Sequence, residues 1–431
     1  MFVSFSIPHI SSDFLLDLAK DYSEDEGTCF LFSGGEADSA QVSILGLFSE
    51  KKIEGSSWES LEKDLEWNHL HSFPKYMGYL SYEMGATSVR DKNTPYTPSL
   101  FPSYQFYQAS VIVVYRRIDS SAEVYCNSLS KISLVQELIS SQDLKVLSRN
   151  ISSKKIPQLS SWEFSESLDS YSKKVEEIKE YIRDGEVYQV NLSQNIEIDG
   201  EVNSFLVFRS LIEKNPAPFS AFIRTDQGAI VSSSPERLLK KQKKSLETRP
   251  IKGTFPRGKT PKEDRENREK LLQSDKDRAE LLMITDLMRN DLGRVARSGS
   301  VKTEKIWHCE EYSNVFHLLS IITAETDEES SVEILRTVFP GGSITGCPKL
   351  RAMEVIHELE QRPRNVYTGS IGYFSGDGDF DFNIAIRTLW VEKSKINVQL
   401  GGAVVIDSDP KSEYEETLHK GASIFEVLRS L

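Results

Sequence analysis

The apolar pattern of this chain changes period repeatedly without settling into the strand–helix–strand alternation of a parallel sheet, and that excludes more folds than any other feature. In "SLDSYSKKVEEIKEYIRDGEVYQVNLSQ", Leu168, Tyr171, Val175, Ile178 and Ile182 recur at steps of three and four. This predicts an amphipathic helix ending near Asp184 and Gly185, followed by a strand in which Tyr188, Val190 and Leu192 alternate. "FSAFIRTDQGAIVSSSPERLLKKQ" predicts two strands meeting around Asp226 to Gly228, and "YQASVIVVYRR", "YTGSIGYFS", "FNIAIRTLWV" and "KINVQLGGAVVID" add further β segments. Hairpin-like pairs with few regular βαβ units predict an α+β fold, with large antiparallel β-sheets flanked by helices.

A chain of 431 residues has room for two domains. The stretch from Leu129 to Trp162, including "SRNISSKKIPQLSS", is rich in Ser and Lys and marks the expected boundary between an N-terminal region, 1–150, and a second region, 162–431. A net charge of -13 disfavours non-specific attraction to nucleic acid or an anionic membrane. Cys29, Cys126, Cys309 and Cys347 form no C-x-x-C pair, so reduced thiols in a cytoplasmic protein are expected. The start, "MFVSFSIPHISSDF", lacks the pattern of a secretion signal, and no apolar run approaches the roughly 20 residues that span a bilayer.

Several residues carry possible chemistry. In "DSDPKSEYEETLHKG", Asp409 is placed to cap a helix started by Pro410, and Glu413 and Glu416 then share one helical face. Asp277 and Glu280 in "DKDRAELL" repeat that spacing. Such pairs ordinarily face solvent or lysines, but two of them facing each other supply oxygen ligands to Mg²⁺. Arg387 in "FNIAIRTLW" can grip a carboxylate with two parallel hydrogen bonds or sit at a solvated strand end. Gly341, Gly342, Ser343, Thr345 and Gly346 precede Pro348 and a helix, where backbone amides can approach an anion, although the P-loop order is absent. His317 lies in the apolar "NVFHLLS", where a satisfied core histidine is the default, and Cys347 has no evident partner histidine. In "RPIKGTFPRG", Lys252 is by base rates a solvated lysine, with a phosphate contact or an amine aimed at a reacting carbon as the other readings.

Taken in order, "VYQVNLSQ", "SSSPERLL", "RPIKGTFPRG", "DRAELLMITDLMRNDLGRV", "FPGGSITGCPKLRAMEVIHELE", "YTGSIGYFS", "NIAIRTL" and "DSDPKSEYEETLHKG" resemble the chorismate-utilising enzymes. Among these they are most similar to the aminodeoxychorismate synthase component I (PabB) family. The resemblance runs from about Trp162 to Leu431, with weaker N-terminal matches in "FLFSGG" and "YMGYLSYE". It implies an anthranilate synthase component I-like fold and a Mg²⁺-assisted reaction of chorismate. By motif position, Glu280 and Glu416 are implied as the principal metal ligands, with Asp277 and Glu413 in support. Tyr367 and Arg387, with backbone at Gly401 and Gly402, are implied to hold a substrate carboxylate; His317 and Thr345 are implied to surround the ring and its leaving hydroxyl, and Glu236 resembles the family's acid/base. "QLGGAVVID" departs from the family in placing the methyl of Ala403 where glycine is usual.

Two positions divide the family by chemistry. Gln189 stands where water-adding relatives carry a lysine base, and a neutral amide cannot replace it. Lys252 stands where anthranilate synthases resemble "PIAGT", and the implied reaction uses its amine as a nucleophile at C2 of chorismate before ammonia attacks C4. The implied product is 4-amino-4-deoxychorismate, the precursor of p-aminobenzoate in folate biosynthesis. With no G-x-C-x-G nucleophile in the chain, ammonia is expected from a class I glutamine amidotransferase subunit. The alternatives are anthranilate synthase component I and a non-catalytic chorismate-binding protein; a pyridoxal phosphate lysine lacks matching flanks.

Overall fold

A computed structural model describes residues 2–35, 39, 41–68, 71–86, 101–140, 159 and 161–431, and most of the expected boundary segment lies outside the described residues. The helices begin where their capping residues predict. Ser167 accepts a hydrogen bond from the Ser170 amide and opens Leu168–Arg183, whose Tyr171, Val175 and Ile178 are buried. Asp409 caps Pro410–Lys420 through the Ser412 amide. The charged stretch after Thr260 forms two helices, Pro261–Gln273 and Asp275–Gly293, because Ser274 ends the first and caps the second through the Asp277 amide. One local expectation shifts: the strand is Gln189–Asp199, leaving Tyr188 before it and exposed.

The strands form a continuous antiparallel sheet with two arms. One arm runs laterally through Ser161–Phe164, Gln189–Asp199, Lys395–Val404, Thr388–Val391, Ala229–Ser234 and Phe219–Arg224. The other runs through Ser370–Ser375, Phe380–Asn383, Arg237–Gln242, Ser245–Arg249 and Val315–Glu325, where Lys302–Glu311 and Ile251–Pro256 also pair. N-terminal strands join the arms. Cys29–Phe32 pairs with Phe219–Arg224, Pro74–Leu80 pairs with Ser370–Ser375, and Val42–Gly55 and Tyr104–Arg116 connect these two contacts.

Helices cover the apolar faces. Phe14 and Leu15, Phe205 and Phe208, and Ile424 and Leu428 pack in one core, while Trp58 and Leu61, Ile284 and Met288, and Ile334 and Leu335 pack in another. A smaller core joins Tyr171, Val175 and Ile178 to Val355 and Ile356 of Lys349–Glu360, fastening both helices beside the start of Gln189–Asp199. The arms thereby hold Gln189 and Gly401 on one side and Lys252 and His317 on the other.

Candidate active site

Lys252 owes its position to an irregularity in the sheet. Ile251 pairs with Leu319 and Thr254 with His317, and the register shifts between them, so Lys252 and Gly253 form a bulge. A bulge re-aims side chains that a regular ladder would alternate. Gly253 has φ +80°, a conformation that favours glycine, and a Cβ there would lie 3.1 Å from the Asp277 side chain, a tight contact. Lys252 is half-buried by surface area, as suits a group lining an open site, but burial of its amine dominates and holds its pKa below the ordinary lysine value. Glu280 opposes that shift and Lys420 reinforces it, with Glu236 and Glu416 also opposing it.

Glu236 sits in the link between Ala229–Ser234 and Arg237–Gln242, only 4% exposed. Its Oε1 accepts from Ser343 Oγ at 2.8 Å and from the Ile251 amide at 3.4 Å, which ties it to both the glycine-rich loop and the Lys252 strand. Burial raises its pKa to about 7, although Ser343 and the Lys252 charge pull the other way. Thr345, on the same loop, donates to the Gly341 carbonyl at 2.9 Å, and its own carbonyl accepts from the Asn191 amide at 2.8 Å. Gln189 is fully buried, and neither atom of its amide has a hydrogen-bond partner among the described residues. Burying an amide without partners is costly, so its position beside the loop favours a polar partner supplied from the site.

His317 is buried, with Nδ1 2.9 Å from Thr254 Oγ1 and the Tyr312 ring edge-on to its own. Burial, with the Arg387 charge, pushes its pKa down to about 3, so at neutral pH the imidazole is uncharged. Arg387 has φ +50°, in the left-handed region, and its guanidinium is in electrostatic contact with Tyr312 and Glu236. Gly401 and Gly402 face opposite sides of Lys395–Val404. A Cβ at Gly401 would lie 2.7 Å from the Tyr367 hydroxyl, whereas one at Gly402 would face Glu413 Oε2 at 3.4 Å and Glu416 Oε1 at 3.8 Å. Ala403 pairs with Asn191 in the register.

The acidic pairs share a spacing but not an environment. Glu413 is buried, accepts from Ser408 Oγ at 2.6 Å through Oε1, and leaves Oε2 buried without a partner. Burial raises its pKa, with the Glu416 charge adding to the effect and Ser408 opposing it. Glu416 is half exposed and paired with Lys420 at 2.8 Å. Glu280 lies 3.9 Å from Lys276, and Asp277 stands over Gly253. Lys252 feels both Glu280 and Glu416, which places it between the pairs. Among the described residues, no group of three or more His, Cys, Asp or Glu side chains gathers closely enough to hold a metal unaided.

Lys420, absent from the residues singled out above, donates from Nζ to the Gly401 carbonyl at 3.1 Å; its i,i+4 relation to Glu416 is the signal in the sequence that marks it. Tyr312 belongs to no quoted motif; it meets His317 across the tight hairpin of Lys302–Glu311 and Val315–Glu325, whereas its nearness to Arg387 depends on the long-range fold.

The description "chorismate binding enzyme" matches residues 27–426. The chain belongs to that family. Aminodeoxychorismate synthase component 1 of Escherichia coli (strain K12) is 47% identical over 270 residues, 62% of this chain and 60% of that protein. Its Bacillus subtilis (strain 168) counterpart is 46% identical over 261 residues, covering 60% of this chain and 56% of the relative, so the matches span well under two thirds of either relative. Anthranilate synthase component 1 of Aquifex aeolicus (strain VF5) is 34% identical over 400 residues, 88% of this chain and 80% of that one. The crystal structure of anthranilate synthase component I from Streptococcus pneumoniae TIGR4 superposes with a TM-score of 0.78 at 27% identity, over 90% of this chain and 93% of its own. The expected antiparallel, anthranilate synthase component I-like fold is therefore observed.

Proposed function

We propose that the protein is the component I of an aminodeoxychorismate synthase, converting chorismate and ammonia to 4-amino-4-deoxychorismate. One observation carries this choice within the family: Lys252, placed by a bulge among acidic groups, has a lowered pKa while nearby Glu236 has a raised one. Opposite shifts favour an unprotonated amine and a protonated acid, the pair needed for nucleophilic attack with departure of a hydroxyl. Higher identity to the two synthases of that name than to the Aquifex anthranilate synthase points the same way.

In this reading Arg387, the Tyr367 hydroxyl and backbone at Gly401 and Gly402 orient a substrate carboxylate, with His317 and Thr345 beside the ring. Lys252 Nζ forms a bond to C2, both conjugated ring double bonds shift toward C4, and the C4–O bond breaks as Glu236 gives its proton to the departing hydroxyl, releasing water. Ammonia then bonds to C4, both double bonds shift back, and the C2–N bond breaks with its electron pair returning to Lys252. The excess proton from ammonia returns to Glu236. Neutral His317 can donate or accept a hydrogen bond without bringing a second full charge.

The carboxylate donors of Glu280 and Glu416, supported by Asp277 and Glu413, suit Mg²⁺, and the unpartnered Glu413 Oε2 offers a buried oxygen that a cation or its water can satisfy. Bound there with substrate oxygens completing its shell, Mg²⁺ would withdraw electron density from the conjugated ring. Ammonia comes from a partner class I glutamine amidotransferase, and the setting is cytoplasmic; among the described residues no helix is long and apolar enough to cross a membrane. The test is product identification with chorismate, Mg²⁺ and ammonium, repeated with glutamine and the glutaminase subunit. Aminodeoxychorismate, converted by a lyase to p-aminobenzoate, is expected; directly fluorescent anthranilate would replace this reading with the anthranilate synthase one.

A further inference from the structure

Arg364 lies in "QRPRNVYTGS", where sequence alone singles out only Tyr367. Its side chain is fully enclosed, and all five of its N–H groups find acceptors. Nε and Nη2 form a fork on Glu360, at 2.9 Å to Oε2 and 2.6 Å to Oε1. Nη2 also donates to the Asn191 carbonyl at 2.7 Å, while Nη1 donates to the Ile344 carbonyl at 3.1 Å and to Thr368 Oγ1 at 3.4 Å.

Each of the three outer acceptors lies on a segment of the candidate site. Ile344 precedes Thr345, Asn191 lies two residues beyond Gln189, and Thr368 follows Tyr367. Two further contacts brace the arrangement. Glu360 Oε1 accepts from both the amide and the hydroxyl of Ser193 at 2.8 Å, and Ser193 Oγ accepts from Gln399 two residues before Gly401. Glu83, from the N-terminal region, accepts the Arg364 amide at 2.8 Å and the Asn365 amide at 3.3 Å.

We infer that Arg364, clamped by Glu360, is the positioning residue of the site: its guanidinium sets the mutual placement of the segments carrying Thr345, Gln189 and Tyr367. The inference rests on the reading of those segments as a chorismate-converting site. A lysine cannot reproduce it, because three donors radiating from one atom cannot serve a carboxylate and carbonyls on separate segments as a planar fork does. Errors of about 1 Å in such placement lower turnover about 100-fold.

The experiment combines R364K with two measurements on the full chain. Hydrogen–deuterium exchange should quicken together at 189–193, 341–347 and 365–369, while the paired strands Val42–Gly55 and Tyr104–Arg116 keep wild-type protection. Total chorismate consumption should fall about 100-fold in kcat/KM, divided between a higher KM from Tyr367 and a lower kcat from Thr345. Total consumption does not depend on which isomer forms. Exchange needs no turnover, so a wild-type protein inactive on chorismate would sink the functional reading while exchange still decides the positioning role. Wild-type exchange at the three segments, or equal loosening of the remote strands, overturns the inference. Should R364K fail to fold, T368V removes one acceptor: faster exchange at 365–369 and about tenfold lower kcat/KM are expected, and unchanged values overturn it.

Discussion

Lys252, half-buried, and Arg364, fully enclosed, are cations of the same half of the chain, yet the protein treats them in opposite ways. Arg364 has an acceptor for every N–H and a bidentate carboxylate against it. Among the described residues, Lys252 has electrostatic neighbours but no side-chain hydrogen bond or ion pair at its amine. A satisfied cation stays charged and fixes its surroundings, and nearby Glu360 raises the Arg364 pKa against the opposing effect of burial. An unsatisfied one is pushed toward neutrality, and a neutral amine is a nucleophile. The same formal charge is held fast in one environment and, in the function proposed above, is the nucleophile in the other.

The sharpest way to break this contrast is Lys252→Ala. C4 amination should fall by about 10³-fold or more, as expected on losing a nucleophile. The product assay checks it, and an unchanged product and rate would remove the covalent role. Stability should separate the two cations next. Glu360→Ala strands Arg364 as an unpaired buried charge and should cost about 3–5 kcal/mol in urea unfolding. Lys252→Met removes a poorly satisfied charge and should leave stability equal or higher; a loss matching that of Glu360→Ala would erase the distinction.

Glu236 gives a pH test of the same comparison. Its folded pKa of about 7 lies above the ordinary carboxylate value, so the folded state holds its proton more tightly than the unfolded chain. Its contribution to stability is therefore full below the ordinary value and is lost as pH rises through about 7. Glu236→Gln should become more stable relative to wild type between about pH 5 and 8. The acid's activity limb should likewise fall above about pH 7 in the wild type. The variant should lack that limb and lose about 100-fold in kcat. The smallest effect is expected at Glu413: Glu413→Gln should raise the Mg²⁺ concentration for half-maximal turnover about tenfold, and an unchanged magnesium titration would remove Glu413 from the cation site.

The cap at Asp409 and the apolar face of Leu168–Arg183 were legible because capping and periodicity are written in adjacent residues. So were the two acidic pairs, through their spacing, and the Gln189 and Lys252 positions, through the family resemblance. Which acid is buried was not legible: Glu413 and Glu280 have equivalent spacing, but only the former has an unpartnered buried oxygen. The N-terminal strands that join the two arms also gave no local sign of their partners, since Pro74–Leu80 meets Ser370–Ser375 from nearly 300 residues away.

The sequence by itself determined the antiparallel character of the fold, several of its helices and the residue types on which the proposed chemistry rests, because each is set by local period, capping or side-chain identity. Tertiary structure alone decided which charges are satisfied. Arg364 became a fixed hub through carbonyls at Asn191 and Ile344, while Lys252 was turned by a sheet bulge toward acids from two distant helices. Hydrogen-bond satisfaction and desolvation depend on what the completed fold brings within a few ångströms.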